Sequence, residues 1–175
     1  MFESVFQHTG KSVRRLSLVQ YLLFEKRFIF LQMSIGLVFI YCGFALIGDK
    51  VIASMCMLFG CWLTISWKQI AYHKADTIIS HGGEIPKTVY HFRKELVTIT
   101  CGKNEIQLPY GKIIRLAEDE AYDYLFISSK SAYMLKKREQ DEIAFKEFLS
   151  RNTSQTWIHV TSLLSMTFRL KHGIQ

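Results

Sequence analysis

The chain has 175 residues and a formal net charge of +7, and 49% of its residues are hydrophobic. This length leaves room for one small folded domain beside the apolar segments. The positive net charge alone would suit a nucleic-acid partner, but no recognised motif or long basic tract supports that partner. Four cysteines without a CxxC pair argue against a disulfide framework and a zinc ribbon.

Residues 1–27 form a short lead that we expect to lie in the cytoplasm. Within it, Leu16–Phe24 is apolar and is flanked by basic residues on both sides. Such a segment is typical of an amphipathic helix at the membrane surface. It is equally typical of an extension of the first membrane helix, and the sequence favours neither alternative.

Two long runs without a charged residue follow the lead. Phe28–Ile47 has twenty residues and Val51–Trp67 has seventeen, with Gly48-Asp49-Lys50 between them. A helix that crosses a bilayer needs about 20 apolar residues at a rise of about 1.5 Å each. Because only three residues join the runs, residues 28–67 are predicted to form an antiparallel two-helix transmembrane hairpin.

The basic residues that flank the hairpin predict its orientation. Several Lys and Arg precede it, Lys68 and Lys74 follow it, and the turn offers Lys50 alone, next to Asp49. Lys and Arg in short flanks favour the cytoplasmic side of a membrane. We therefore expect both termini in the cytoplasm, where basic flanks that face anionic lipid also account for the net charge.

Small residues recur at helical spacing along both runs. Small side chains let membrane helices approach closely, so that packing holds them together. We interpret these residues as the contact between the two helices of the hairpin, and the alternative is a contact between copies of the chain. The candidate helix-packing residues are Gly36, Gly43, Ala53, Cys56, Gly60 and Thr64.

Residues 76–150 change to short runs rich in β-branched and aromatic residues, separated by turn signals. Asp76–Ser80 is either a further strand or the end of the second membrane helix. Glu139–Leu149 is predicted to be a helix whose apolar face covers a sheet. The predicted fold is a small α+β domain, an antiparallel PH-like barrel or sheet of six or seven strands with a C-terminal helix. The predicted strands are Thr88–Arg93, Leu96–Cys101, Glu105–Tyr110, Lys112–Glu118, Tyr122–Ser128 and Ala132–Lys136.

Residues 151–175 form an apolar-basic tail without an acidic residue. Leu164–Lys171 alternates as a strand does, and it also fits a helical stripe, so both alternatives stay open. A tail of this composition beside a membrane is suited to lie on the lipid surface.

Several motifs of the predicted β-domain are similar to those of a known family. They are Tyr90-His91-Phe92, Ile106–Tyr110 followed by Lys112-Ile113, the Tyr124–Ser128 strand, Leu135-Lys136-Lys137 and the Phe145–Leu149 helix. On these residues the chain resembles the YcxB-like family of small bacterial membrane proteins, in its C-terminal domain. The preceding hairpin agrees with the layout of that family. Leu135 stands where such proteins often carry a proline, and residues 151–175 extend beyond the domain.

The resemblance implies a fold and a location: a PH-like domain at the bacterial inner membrane. It brings no established activity and no catalytic residue. The sequence itself offers no catalytic motif, so we expect neither an enzyme nor a cofactor nor a metal site. The densest acidic cluster, Glu118-Asp119-Glu120 with Asp123, falls at a predicted turn, where we expect solvated carboxylates without a pocket.

Basic residues of the β-domain are the candidate surface for a lipid or a protein partner. Charged sheet edges that prevent aggregation are the alternative. We expect a non-enzymatic interaction module in contact with the lipid bilayer, with a membrane or cytoplasmic protein, or with a second copy of the chain as partner. The alternative functions are an anionic-lipid sensor and an accessory subunit of a larger membrane complex. The candidate surface residues are Lys87, Arg93, Lys94, Lys103, Lys136, Lys137 and Arg138.

Overall fold

The computed structural model describes residues 2–81, 87–138 and 141–160. The chain folds as two compact units. The β-rich unit comprises Met1–Ser12 together with Gly83–Gln175, and the helical unit comprises Val13–Gly82. The helical unit is therefore an insertion in the sequence of the β-rich unit. The tail segment Leu164–Lys171 lies outside the described residues.

Two long helices dominate the helical unit. Helix α2 is Lys26–Ala45 and helix α3 is Lys50–His81, and both are long and apolar enough to cross a membrane. At a rise of 1.5 Å per residue they are about 30 Å and 48 Å long. The prediction of two apolar helices is confirmed. Asp76–Ser80 belongs to α3, which decides between the two alternatives for this segment.

The lead contains a helix of its own. Helix α1 is Gly10–Phe24, and Glu25 alone separates it from α2. The Nε atom of Arg14 lies 2.7 Å from Oδ1 of Asp76 on α3. Two residues earlier on α3, the ammonium group of Lys74 lies 5.3 Å from the ring centre of Tyr21. These two contacts join α1 to the C-terminal part of α3.

The β-rich unit consists of two four-stranded sheets. The first has the order β1-β2-β3-β4 and is antiparallel, and the second has the order β7-β6-β5-β8, in which β8 runs parallel to β5. Helix α4 is Glu142–Thr153. A 3₁₀ turn over Tyr110–Lys112 joins the two sheets. The strands are β1 Phe2–Phe6, β2 Thr88–Phe92, β3 Leu96–Cys101, β4 Asn104–Pro109, β5 Arg115–Glu118, β6 Tyr122–Phe126, β7 Ala132–Lys136 and β8 Trp157–His159.

The prediction of a small β-rich domain is confirmed, and α4 follows the last of the six predicted strands. The six predicted strands are present, although β5 begins at Arg115 because the residues after Pro109 form the 3₁₀ turn. Among the described residues the two sheets do not close into a barrel. Strands β1 and β8 were not predicted.

The core of the β-rich unit lies under α4. Phe92 of β2 is 1% exposed, and its ring lies 4.9 Å from that of Phe145 on α4 in an edge-to-face arrangement. Tyr90 packs against Tyr133 of the second sheet with ring centres 6.2 Å apart. A buried aromatic side chain contributes about 1.5–3 kcal/mol. The helix and both sheets therefore share one apolar interior.

Candidate functional site

The basic residues near the first two strand turns lie at opposite ends of the first sheet. Thr88 pairs with Cys101, so Lys87 and Lys103 lie at one end of β2 and β3. Phe92 pairs with Val97 at the other end, where Arg93 and Lys94 form the turn. The six residues of β3 span about 17 Å. The four side chains are exposed, but the sheet does not bring them together in one patch.

The three basic residues after β7 have different surroundings. Lys136 is exposed. The guanidinium group of Arg138 donates a hydrogen bond to the backbone carbonyl of Glu3, and it lies 5.2 Å from the ring centre of Phe2 and 4.9 Å from that of Phe145. Burial lowers the pKa of Arg138. Arg138 is thus part of the packing between β1 and α4.

A cluster of two lysines and two glutamates joins α4 to the second sheet; we call it the α4 charge cluster. Nζ of Lys146 lies 2.5 Å from a carboxylate oxygen of both Glu118 and Glu142. Nζ of Lys137 lies 2.8 Å from Glu118 and 3.5 Å from Glu142. Burial raises the pKa of Glu118, but its hydrogen bonds with the two lysines outweigh burial and hold it below the ordinary value. The cluster therefore consists of four charged groups at neutral pH.

Asp119, which we expected to be solvated, is buried. Its side chain is 3% exposed. One carboxylate oxygen accepts hydrogen bonds from the backbone N–H groups of Ala121 and Tyr122, at 2.8 and 2.9 Å. The other accepts a hydrogen bond of 2.5 Å from the hydroxyl group of Tyr124. The prediction of a solvated turn is wrong here because the carboxylate folds back on the turn that follows it.

Asp123 is also buried, and its surroundings differ from those of Asp119. It is 1% exposed, and neither carboxylate oxygen has a hydrogen-bond partner among the described residues. Strand pairing places it opposite Glu118 on one side and Leu135 on the other. Burial raises the pKa of Asp123 to about 6, although the charges of Lys146 and Lys137 oppose the shift.

The surroundings of Glu118 lower its pKa and those of Asp123 raise its pKa, a separation that is also found in acid–base sites. Catalysis also requires that a substrate reach both groups. Asp123 is 1% exposed, and Glu118 is held by two lysines. Among the described residues, no group of three or more His, Cys, Asp or Glu side chains is placed to hold a metal ion. The arrangement therefore fits a structural charge cluster.

The small residues of the hairpin lie where α2 and α3 touch. A Cβ atom on Gly60 would lie 2.6 Å from the carbonyl oxygen of Gly36. A Cβ atom on Gly36 would lie 2.8 Å from the methyl carbon of Thr64, and one on Gly43 would lie 2.9 Å from the carbonyl oxygen of Ala53. Five of the six candidate residues thus form contacts between α2 and α3 of the same chain. Cys56 is half-buried.

Comparison with models of known protein families found no match to this chain, and no curated protein matches it. The resemblance to the YcxB-like family therefore stays a prediction from the motifs around Tyr90 and Ile106–Tyr110. What the geometry adds is the placement of the basic residues, the α4 charge cluster and the glycine contacts of the hairpin.

Proposed function

We propose that this chain is a membrane-anchored, non-enzymatic interaction module. In this proposal α2 and α3 cross the bacterial inner membrane, and the β-rich unit is a PH-like, YcxB-like domain at the cytoplasmic face. Two four-stranded sheets with a helix after the seventh strand support the PH-like assignment.

The pairing of β1 with β2 carries the proposal. β1 precedes the two long helices in the chain and β2 follows them, yet the strands pair from Phe2 with Phe92 to Phe6 with Thr88. Hydrogen-bonded strands lie on one side of a bilayer. Two crossings return the chain to the side from which it started. This strand pair therefore agrees with a hairpin that crosses the membrane twice.

The side of the membrane follows from the basic flanks. Arg14, Arg15, Lys26 and Arg27 precede the first apolar run, and the turn of the hairpin holds Lys50 beside Asp49. The positive-inside rule then assigns the β-rich unit to the cytoplasm. The non-enzymatic assignment is supported by the burial of Asp119 and Asp123, which are 3% and 1% exposed.

A second candidate function is recognition of anionic lipid. Arg93 and Lys94 are adjacent and exposed at the β2–β3 turn, and each basic residue near an anionic surface contributes about 1 kcal/mol. Two such residues give weak binding. A protein partner at the same turn, including a larger membrane complex, agrees equally well with this charge, so the experiment must separate lipid from protein.

Photo-crosslinking in cells tests the function. A photoreactive amino acid replaces Lys94 in the tagged full chain, and a matched chain carries it at Lys103, at the opposite end of the first sheet. If the chain is an interaction module, we expect one dominant protein adduct, and we expect it at only one of the two positions. Adducts with anionic lipid, and none with protein, would contradict the interaction module and support the lipid sensor. The absence of any specific adduct at either position would contradict both functions.

A further inference from the structure

A groove opens between α2 and α3 in the half of the hairpin nearer the N-terminus of α2. Its volume is about 790 Å³, within the range of about 300–1,000 Å³ that ligand sites occupy. Phe28 and Ile35 line it on α2, and Trp62 lines it on α3. Phe28 is 49% exposed and Trp62 54% exposed. The aromatic walls thus have free surface for an apolar ligand.

The lining changes from apolar to polar along α3. Trp62 and Leu63 lie inside the second apolar run, whereas Gln69, His73 and Asp76 lie beyond its last residue. From Gln69 to Asp76 a helix rises about 10 Å. The hydrocarbon core is about 30 Å thick, and the polar headgroup layers extend it to about 40–45 Å. In the proposed orientation the groove therefore begins among the headgroups and enters the inner leaflet.

Contacts between α2 and α3 hold the groove in its shape. The amide nitrogen of Gln32 donates hydrogen bonds to the hydroxyl oxygen of Ser66 at 2.5 Å and to the carbonyl oxygen of Leu63 at 3.1 Å. One turn further along α2, Gly36 and Gly60 bring the two backbones together. The helices are thus fixed at the deep end of the groove. A preformed site costs less ordering free energy on binding.

Asp76 lines the polar end of the groove, and Arg14 pairs with it. Nε of Arg14 lies 2.7 Å from Oδ1 of Asp76, and the two side chains remain 55% and 45% exposed. A guanidinium group has five N–H donors and suits a phosphate. The carboxylate of Asp76 lines the groove and suits a primary ammonium group. A zwitterionic headgroup, which has both a phosphate and an ammonium group, complements this ion pair. A purely anionic headgroup would place a negative charge beside the carboxylate of Asp76.

From these observations we infer that the groove binds a single zwitterionic aminophospholipid of the inner leaflet. One acyl chain lies between Phe28 and Trp62, the phosphate contacts Arg14, and the ammonium group contacts Asp76. This inference rests on the proposed function, because it requires that α2 and α3 cross the membrane. It adds a ligand site that is formed by residues of the helical unit.

Native mass spectrometry of the full chain, delipidated and then titrated in mild detergent, tests the inference. The probes are phosphatidylethanolamine, phosphatidylcholine and phosphatidylglycerol with identical acyl chains. We expect one bound phosphatidylethanolamine with an affinity about tenfold above phosphatidylcholine, because methylation removes the ammonium hydrogen bonds to Asp76. Asp76→Asn should reduce this preference to near unity. Equal binding of all three lipids, or tighter binding of phosphatidylglycerol, would overturn the inference.

A matched pair of tryptophan variants separates the groove from the general lipid surface. Ile35→Trp fills the groove, whereas Val38→Trp adds the same side chain at a residue of α2 that is 59% exposed and outside the groove. We expect Ile35→Trp to lower the affinity about tenfold or more and Val38→Trp to leave it unchanged. Equal affinities of the two variants would overturn the inference.

A separate readout distinguishes failure of the groove from failure of the proposed function. Both variants are prepared with the turn substitution Gly48→Cys, and an impermeant thiol reagent reports insertion in spheroplasts. Normal labelling without selective lipid binding would overturn the lipid site alone. Absence of labelling in the chain that carries Gly48→Cys and no tryptophan substitution would overturn both the crossing and the lipid site.

Discussion

The helical unit and the β-rich unit differ in the contacts that hold each of them together internally. In the helical unit the backbones of Gly36 and Gly60 touch, and the Arg14–Asp76 ion pair stays half exposed. In the β-rich unit a charge cluster joins the helix to the sheet, and Asp123 is buried beside it. Backbone contact is sensitive to added atoms, whereas buried charge is sensitive to pH. The two units should therefore respond to different perturbations.

The largest effect is expected at the glycine contact. Gly60→Leu places a side chain where a Cβ atom alone would lie 2.6 Å from a backbone oxygen. Overpacking of this kind costs about 1–3 kcal/mol, and contact with backbone puts Gly60 at the upper end. Thermal unfolding of the chain in detergent measures the loss. Gly48→Leu is the control because a Cβ atom there meets nothing within 4 Å. Equal melting temperatures of the two variants would show that α2 and α3 do not touch at Gly60.

Asp123→Asn should stabilise the chain at neutral pH. The folded-state pKa of Asp123 is about 6, above its ordinary value of 3.8. The folded chain therefore binds this proton more tightly than the unfolded chain, and stability falls as the pH rises from about 4 to 6. The Asn variant lacks this loss and should gain about 2 kcal/mol at pH 7.5, and less at pH 5.

Chemical denaturation of the full chain at the two pH values measures the gain. Glu120→Gln is the matched control, because Glu120 lies in the neighbouring turn and is exposed. A gain that is the same at pH 5 and pH 7.5 would mean that Asp123 does not titrate between them.

A smaller loss is expected when the α4 charge cluster loses one lysine. Lys146→Met keeps the aliphatic stem and leaves Glu118 and Glu142 with less positive charge nearby. Lys146 is 21% exposed and Glu118 15% exposed, so solvent screens part of the effect, and we expect a cost of about 1–2 kcal/mol at pH 7. The loss should shrink in acid as the glutamates become protonated. Lys136→Met, at an exposed lysine, should be neutral in the same denaturation experiment; an equal loss there would contradict the cluster.

The elements that sequence reasoning predicted are those with a local pattern. Charge-free runs of helical length define α2 and α3, and short runs of four to six residues, rich in β-branched and aromatic side chains, define β2 to β7. Strand β1 escaped prediction because its partner comes 82 positions later, from Phe6 to Thr88. Phe2, Val5 and Phe6 are compatible with a strand, but nothing near them indicates a partner. Strand β8 pairs in parallel with β5 and has the same difficulty.

The placement of charge was less predictable than the elements. Lys137 and Arg138 were predicted to be surface residues because the sequence shows that they are charged. It does not show that Lys137 lies beside Glu118, or Arg138 beside Phe145, in the fold. Burial of Asp123 had one local indication. Leu125 follows two positions later on the same face of β6 and is fully buried, so the face that carries Asp123 is not a polar one.

We propose that the chain crosses the membrane twice and then returns to the β-rich unit. Single cysteines at Gly48, Val5 and Lys94 test it, each in a chain whose native cysteines are replaced by alanine. These positions are the turn of the hairpin, β1 and the β2–β3 turn, and all three are exposed. An impermeant thiol reagent added to intact spheroplasts should label Gly48→Cys and spare Val5→Cys and Lys94→Cys until the membrane is permeabilised. Labelling of all three, or of Val5→Cys and Lys94→Cys alone, would contradict the account.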